Sequence, residues 1–461
     1  MRRLILLFAF VLSSSLFLNG PGTLHAQEAG VPPQLDSRIY DIISAASPER
    51  VEADIRTLAG FGTRNTYSDT ISDTRGIGAA RRWIKAEFDK ISAECGGCLE
   101  VFYQTVMIPP SSRVPEETAV VSVAAIQRGT LYPNSYVILS GDIDSRASGG
   151  NDPVTEAQGA NDNATGMAAA IEAARLLTKY SFPATLVYAG LSAEEQGLHG
   201  GRKMASVALE EGWDIIAVLN NDMIGNTEGI DGIKDNTTFR VFSEPVPATD
   251  SLSDHRARRT QGGEVDGPSR QIARYVDRIA DLYFPNLDAK MVYRLDRFGR
   301  GGHHRPFNDV GFPGVRIMET HENYDRQHQD IRVENGIEYG DVIEWVDFDY
   351  TTKMTALNAS VMASIAWAPP APANVRIGGS NRPSTVLAWE VADDPNLAGY
   401  KVYWRDTTAP QWQNFRWAGM VDTFTLENVI IDNYLFGVSA VAKDGNESPV
   451  VFPGGQIRRG R

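Results

Sequence analysis

Residues 136–146 read YVILSGDIDSR, a short apolar run that ends in a glycine and is followed by Asp142 and Asp144. A run of this length and composition predicts a buried β-strand. Carboxylates are rarely buried without a partner, because moving a charge out of water costs free energy. The stretch therefore indicates a strand whose carboxyl end opens onto a site that requires negative charge.

Strand and helix patterns alternate around this stretch. Alternation of this kind predicts right-handed β-α-β units and a largely parallel central sheet, which is an α/β fold. Further strands are predicted at 117–127, 184–192, 214–225 and 312–320, and helices at 163–180, 199–212, 267–284 and 340–368, whereas residues 27–110 read as mostly helical.

The composition changes at the proline-rich residues 368–373, which predict a linker. Short alternating runs separated by turn residues follow, as in an all-β sandwich. The inward tryptophan of LAWE (387–390), with the runs YKVYWR and YLFGVSAVAKDGNES, resembles a fibronectin type III module. Such modules space or attach other domains, so we expect contact with a surface or a carbohydrate. The predicted division is a signal peptide at 1–26, an α/β domain with a helical N-terminal part at 27–367, a linker at 368–373 and a sandwich at 374–461.

The first residues have the features of a secretory signal peptide. Arg2 and Arg3 precede an apolar stretch that reaches Leu18, and residues 24–26 offer a cleavage site. The apolar stretch is shorter than the roughly 20 residues that a membrane span needs. We therefore expect export, cleavage near Ala26, a secreted or periplasmic location and no membrane span.

The net charge and the cysteine content limit the binding partners and the redox chemistry that can be expected. The formal net charge is −14, and a diffuse acidic surface argues against binding to nucleic acid. Cys95 and Cys98 are the two cysteines of the sequence. In an exported chain a local disulfide is the simplest interpretation of such a pair. We further expect a monomer.

Acidic residues follow the predicted parallel strands. Open α/β sheets bind ligands outside the carboxyl ends of their strands, so these residues should converge on one crevice. Carboxylates in one pocket raise one another's pKa unless cations balance them. Carboxylates combined with an imidazole suit zinc, with manganese or cobalt as alternatives. The residues of this predicted site for two divalent metal ions are Asp142, Asp144, Asp162, Glu194, Glu195, Asp222 and, far downstream, His328.

Four segments then resemble a known family. GANDNATG (159–166), AEEQG (193–197), NNDMIG (220–225) and the segment around His328 occur in the order found in the secreted di-zinc aminopeptidases of peptidase clan MH. The resemblance implies a phosphorylase/hydrolase-like three-layer sandwich with a mixed, largely parallel sheet. The roles that it implies are Asp162 as a bridge between two zinc ions, Glu195 and His328 on one ion, Asp222 on the other, Glu194 as the general base, and Asp144 as a residue that orients a ligand.

Two positions depart from the family pattern. Asp142 stands where the family normally has a histidine that ligates the zinc shared with Asp222. His303 stands where an aspartate is common, followed by the matching His304. We hypothesise that positions 142 and 303 face one another, so that either Asp142 ligates metal with His303 in support, which we prefer, or His303 itself reaches the metal. A third alternative is a weakened or empty site, although the retained Asp162, Glu194, Glu195, Asp222 and His328 argue against its complete loss. An aspartate ligand would shift the preference toward harder metals such as manganese.

The choice of the histidine that binds metal depends on its position in the segment 321–328. His321 is an alternative, but His328 follows ENYD (322–325), and we therefore assign the ligand to His328. His199, in the segment EEQGLHGG, is expected near the rim of the site.

The leading interpretation is a secreted metallo-aminopeptidase in which a water bridged by two metal ions attacks the first peptide carbonyl and Glu194 shuttles the proton. Apolar N-terminal residues are the substrates that the resemblance suggests. A zinc-dependent glutaminyl cyclase of the same fold is an alternative, as is a carboxypeptidase, which would need a cationic pocket for the substrate carboxylate. A non-catalytic adhesion protein is disfavoured, because a structural metal site does not need a free carboxylate such as Glu194.

Overall fold

The computed structural model describes residues 31–457, and the predicted signal peptide lies outside them. The larger unit is a mixed eight-stranded sheet with helices on both faces. The helices are α1 (Ser37–Ala45), α2 (Pro48–Gly60), α3 (Gly76–Glu94), α4 (Gly166–Leu177), α5 (His199–Glu210), α6 (Leu252–Gln261), α7 (Pro268–Tyr283), α8 (His304–Asp309) and α9 (Phe348–Trp367). Its strands are β1 (Leu99–Ile108), β2 (Thr118–Gln127), β3 (Tyr132–Asp142), β4 (Ala184–Leu191), β5 (Asp214–Asn221), β6 (Thr238–Ser243), β7 (Asp288–Val292) and β8 (Gly314–Glu319), with the small hairpin β9 (Arg332–Glu334) and β10 (Ile337–Tyr339).

The strand order β1-β2-β4-β3-β5-β8-β6-β7 places the parallel strands at the centre of the sheet. β4, β3, β5 and β8 run parallel to one another, whereas β2 and β6 join them antiparallel. Alternate residues of β3 enter different cores: Val137 and Leu139 face one layer of helices, and Ile138 faces the other. The prediction of an α/β fold with a mixed sheet between helices is confirmed, and the carboxyl ends of the parallel strands meet at one edge.

Two sequence predictions about local structure need correction. Residues 99–108 are not helical but form the edge strand β1, which pairs with β2 along its whole length. Its β-branched and aromatic residues favour a pleated strand. The closing helix, predicted from residue 340, begins only at Phe348, where the Asp347 side chain accepts the Tyr350 N–H at 2.9 Å as an N-cap.

A close approach of α4 to β3 sets the position of the first acidic residue. A Cβ atom at Gly141 would lie 2.3 Å from the carbonyl carbon of Gly166, which no larger residue could accommodate. The backbones are therefore in direct contact at this point. This contact allows Asn163 to donate a hydrogen bond of 2.7 Å to Asp142 at the end of β3.

The C-terminal unit is a sandwich of two sheets. Trp389 lies in its core, packed 5.2 Å from Tyr400 between ring centroids, in agreement with the predicted inward tryptophan. The fibronectin type III assignment stays a prediction. The sheet orders are β15-β12-β11-β17 and β14-β13-β16, formed by β11 (Ala373–Gly378), β12 (Thr385–Glu390), β13 (Leu397–Asp406), β14 (Asn414–Gly419), β15 (Thr423–Leu426), β16 (Tyr434–Ala442) and β17 (Gly455–Gln456).

Two further sequence predictions can be compared with the structure. Cys95 and Cys98 form the predicted local disulfide between α3 and β1. Among the helices of residues 31–457, none combines enough length with enough apolar character to cross a bilayer.

Buried charge holds the sandwich against the α/β domain. The Glu447 carboxylate accepts hydrogen bonds from Arg278 on α7 at 2.6 Å and from Lys401 on β13 at 2.8 Å. Tyr403 and Ser439 donate to its other oxygen. Burial raises the pKa of Glu447, but the two cations and these donors outweigh it and lower the pKa to about 2.

Acid should therefore weaken this contact. An unfolded glutamate has a pKa of about 4.3, so ionised Glu447 contributes its full stabilisation above that pH and loses it as the pH falls toward about 2. We expect the urea midpoint of unfolding to fall over this window, and to fall less steeply in Glu447→Gln, as followed by circular dichroism. Equal slopes in the two proteins would contradict the assignment.

Candidate metal centre

The structure brings the predicted acidic residues to one edge of the sheet. β3 lies between β4 and β5 and runs parallel to both, so their carboxyl ends coincide. The residues that meet there are Asp142 at the end of β3, Asp144 just beyond it, Glu194 and Glu195 after β4, Asp222 after β5, Asp162 before α4 and His328 after β8.

Asp162, Glu195 and His328 form a compact set of ligand atoms, called the ligand group below. The Nε2 atom of His328 lies 3.0 Å from Oδ2 of Asp162 and 2.9 Å from Oε1 of Glu195. The three ligand atoms lie within 4.8 Å of one another. Two carboxylates and an imidazole are a donor set that zinc accepts, so these residues fit one ion. In the described part of the chain, the other cluster of this kind has carboxylates alone and lies on α7 and β7.

The two carboxylates of the ligand group and His328 shift one another's pKa. Burial lowers the pKa of His328, but Glu195 and Asp162 outweigh it and raise the pKa to about 10. Burial raises the pKa of Asp162, and the hydrogen bond and charge of His328 outweigh it and lower the pKa below its ordinary value. The alternative histidine, His321, lies instead 3.8 Å from carboxylate oxygens of two other aspartates.

Asp144 holds the adjacent glutamates through their backbone. Its carboxylate accepts the N–H of Glu194 at 3.1 Å and that of Glu195 at 3.2 Å. Burial, followed by the charge of Glu195, raises the pKa of Asp144 to about 7. Burial and the neighbouring carboxylates also raise the pKa of Glu194 well above its ordinary value. The pair is thereby fixed with Glu195 on the ligand group and Glu194 lining the cavity in front of it.

Asp222 is paired with a buried arginine that the sequence analysis did not single out. Nη2 of Arg316 lies 2.7 Å from Oδ2 of Asp222. Nη1 of Arg316 donates to the Gly301 carbonyl at 2.9 Å and to Asp296 at 3.2 Å. Burial lowers the pKa of Arg316, but Asp222 and Asp296 outweigh it and raise the pKa above its ordinary value, so the guanidinium stays charged.

Asp142 and His303 face one another, as hypothesised. Oδ1 of Asp142 and Nε2 of His303 are 3.6 Å apart, and neither buried atom has a hydrogen-bond partner. Nδ1 of His303 accepts the Gly201 N–H at 3.2 Å, which assigns the ring proton to Nε2. Burial lowers the pKa of His303 to about 3, and burial with nearby carboxylates raises that of Asp142. Neither residue joins the ligand group, and a metal-binding role for either stays a prediction.

Comparison with known proteins identifies the family. Residues 122–342 match the profile of Peptidase family M28. A probable zinc metalloprotease of Leptosphaeria maculans is 38% identical over 424 residues, which cover 92% of this chain and 98% of the relative. The chain belongs to Peptidase family M28. It is therefore a peptidase, and the name of this relative supports zinc as the metal, whereas the number of ions stays a prediction.

One further curated relative and two solved structures are similar to the M28 chain. A probable zinc metalloprotease of Pyricularia oryzae is 36% identical over 425 residues, covering 91% of this chain and 84% of the relative. The LapA aminopeptidase of Legionella pneumophila superposes with a TM-score of 0.53 at 17% identity, over 78% of this chain and 81% of LapA. LapB from the same organism gives a TM-score of 0.51 at 16% identity, over 72% of this chain and 76% of LapB. At these identities the two structures show a shared fold.

The cavity in front of the ligand group has a volume of about 350 Å³ and is rich in arginine. The whole M28 chain carries a net charge of −14, so this local accumulation of cations opposes the average charge of the protein. Arg305 is half-buried, its Nη1 donates to the Arg300 carbonyl at 3.1 Å, and its Nε has no hydrogen-bond partner. The lining arginines are Arg113, Arg146, Arg202, Arg297, Arg300 and Arg305.

Unfavourable backbone conformations gather at the same edge. A positive φ is uncommon for residues other than glycine, less so for asparagine, aspartate and histidine, and such residues concentrate at functional sites. Ala193, Met223 and His328 have φ values of 56°, 63° and 54°. Apart from Leu198, the remaining positive-φ residues of the described chain are asparagines and glycines. The surrounding structure thus imposes this geometry on the segments that carry the ligand and base residues.

Several supporting residues were missed by the sequence analysis. Asp341 accepts the N–H of Asn161 at 2.8 Å and that of Asp162 at 2.7 Å, and so fixes the loop before α4. No local pattern marks it, because its partners are far away in the sequence. Arg316 did carry a signal, since an arginine in the middle of the apolar run FPGVRIMET must be buried and therefore paired.

Proposed function

We propose that this M28 chain is an exported zinc exopeptidase that removes N-terminal residues from peptides. The observation that carries the proposal is the position of Glu194, whose carboxylate lines the cavity beside the ligand residue Glu195. Hydrolysis requires a base within reach of the attacking water, whereas a purely structural metal site does not. The signal-peptide pattern of residues 1–26 supports a secreted or periplasmic location.

The ligand group would hold the zinc ion. When bound, zinc supplies a Lewis acid that lowers the pKa of water toward about 7 and polarises a carbonyl oxygen. Glu194 takes the proton of the attacking water and later delivers it to the leaving amine. Burial and the neighbouring carboxylates raise the pKa of Glu194, which favours its uptake of that proton. Asp144 keeps the base in place through the Glu194 N–H, and the remaining carboxylates of this edge would recognise the free α-amine of the substrate.

The arginine-lined cavity favours a second candidate, a carboxypeptidase. Such an enzyme needs cations that bind the C-terminal carboxylate of its substrate, and guanidinium groups do so with charge-assisted hydrogen bonds. Arg305 and Arg300 are placed for this role, because both line the cavity next to the ligand group. An aminopeptidase with the same cavity would instead prefer acidic side chains over the apolar ones that the resemblance suggests.

One set of matched peptides separates these activities. The tripeptide Glu-Leu-Ala is offered to the zinc-loaded protein in three forms: free at both ends, N-acetylated, and C-amidated. For an aminopeptidase we expect mass spectrometry to show loss of Glu from the free and amidated forms only. Cleavage of the acetylated form with no cleavage of the amidated form would overturn the proposal in favour of a carboxypeptidase.

A glutaminyl peptide tests the remaining enzyme alternative. A glutaminyl cyclase would convert Gln-Leu-Ala into a pyroglutamyl peptide and ammonia without breaking a peptide bond. The proposed exopeptidase should instead release free glutamine. Release of ammonia as the main product would contradict the proposal.

Removing a lining arginine should weaken the binding of anionic substrates. We expect Arg305→Met to lower kcat/KM for a substrate with an acidic first residue by about 10- to 100-fold, since a hydrogen bond to a charged group contributes about 1.5–3 kcal/mol. The same substitution should leave the value for a neutral first residue within about two-fold. Arg256→Met, on the exposed face of α6, is the control that should change neither value, and an equal loss on both substrates would refute the assignment.

For the C-terminal sandwich we propose contact with a surface or a carbohydrate, supported by its resemblance to fibronectin type III modules. We also propose that the chain acts as a monomer. Size-exclusion chromatography with light scattering tests the second statement, and a mass of twice the chain would contradict it.

A further inference from the structure

Arg316 is a cation built into the interior of the metal centre. It lies on β8 opposite Asn220 of β5, and its side chain is fully buried. One end of the guanidinium lies 2.7 Å from Asp222, and the other is anchored to the Gly301 carbonyl and to Asp296. Buried arginines are rare and are retained only when they are paired, so this fold maintains a positive charge beside Asp222.

The place beside Asp222 is where the resemblance puts a second zinc ion. The other residue expected to bind that ion, Asp142, has different partners: its Oδ2 accepts a hydrogen bond from Asn163, and its Oδ1 faces His303. Within residues 31–457, Asp142 and Asp222 belong to no group of three ligand atoms within 4.8 Å of one another. The ligands of one ion are therefore assembled, and those of the second are not.

We propose that the guanidinium of Arg316 replaces the second zinc ion and that the chain binds a single zinc at the ligand group. A divalent cation next to Asp222 would be repelled by Arg316 across a poorly screened interior. The anchors at Gly301 and Asp296 keep the guanidinium from turning away. The residue at position 142 is consistent with a single zinc ion. Asp142 stands where the family has a neutral histidine that binds the second ion together with Asp222, and Asp222 is the residue that Arg316 contacts.

The inference rests on the proposed zinc site and is independent of the substrate. If the chain binds one zinc ion, the positive charge of the second ion is supplied by the Arg316 side chain. Because this charge is part of the protein, chelators cannot remove it. Arg316 replaces the charge of the second ion but not its contact with a substrate, because it contacts Asp222 and does not line the cavity. It therefore acts as a positioning residue. The number of metal ions consequently does not separate the peptidase from a glutaminyl cyclase, and only the products do.

Metal counting tests the inference directly. The full chain is equilibrated with excess zinc, freed of unbound ion by gel filtration, and analysed by plasma mass spectrometry. We expect one zinc per chain in the wild type, one in Arg316→Lys, which keeps the charge, and none in His328→Ala. The double variant Asp142→His, Arg316→Met should bind two, because it removes the cation and supplies the missing ligand.

The outcomes are distinguishable. Two zinc ions per wild-type chain would overturn the inference and leave the proposed function intact. No zinc in the wild type would overturn both. A double variant that is folded by circular dichroism but still binds one ion would also overturn the inference. If the double variant does not fold, the wild-type and Arg316→Lys counts still decide the question.

Discussion

Glu194→Gln should lower kcat/KM by about 10²- to 10⁴-fold, the range that general base catalysis contributes. Glutamine keeps the shape of the side chain but cannot accept a proton from water. Glu194 lies outside the ligand group, whose three atoms belong to Asp162, Glu195 and His328. We therefore expect the zinc content of Glu194→Gln to equal that of the wild type. Steady-state kinetics and metal analysis of the same preparation measure both quantities.

The neighbouring residue provides a matched control. Glu195→Gln makes the same chemical change at the adjacent residue, but there it removes a carboxylate ligand whose Oε1 lies 2.9 Å from Nε2 of His328. We expect it to lose both zinc and activity. If Glu194→Gln retained activity within ten-fold of the wild type, or lost its zinc as Glu195→Gln does, the division of roles between the two glutamates would be refuted.

Asp266→Asn should destabilise the protein by about 3–5 kcal/mol, as expected when one partner of a buried ion pair loses its charge. Asp266 lies 2.6 Å from Arg274 of α7 and 2.8 Å from Arg405 of β13, and all three side chains are at most 2% exposed. Its removal would leave two buried guanidinium groups, from both units of the molecule, without a counterion. Because these residues join the α/β domain to the sandwich, urea unfolding should reveal a separate early transition of the sandwich.

An exposed carboxylate nearby provides the comparison. Glu264 lies two positions before Asp266 in the same loop but is exposed. Glu264→Gln should change the free energy of unfolding by less than about 0.5 kcal/mol. Equal effects of the two substitutions, or a single unchanged transition in Asp266→Asn, would show that the buried network does not hold the two units together.

The acidic centre was largely predictable because the signal for it lies in short stretches of the sequence. Each of Asp142, Glu195 and Asp222 lies within a few residues of the end of an apolar run, and the parallel arrangement of those runs brings their ends together. The disulfide was predictable for the same reason, since its cysteines are three positions apart. β1 was misassigned because its apolar residues occur in a region dominated by helical spacing, and only its pairing with β2 shows it to be a strand.

The sequence by itself determined the α/β order, the C-terminal sandwich, and the carboxylates and histidine that would hold a metal. Only the tertiary structure decided how charge is distributed among them: that Arg316 pairs with Asp222, that His303 faces Asp142, and that arginines from distant segments line the cavity. The physical reason is that strand and helix patterns follow from neighbouring residues. The partner of a buried charge depends on distances between side chains that can be more than a hundred positions apart.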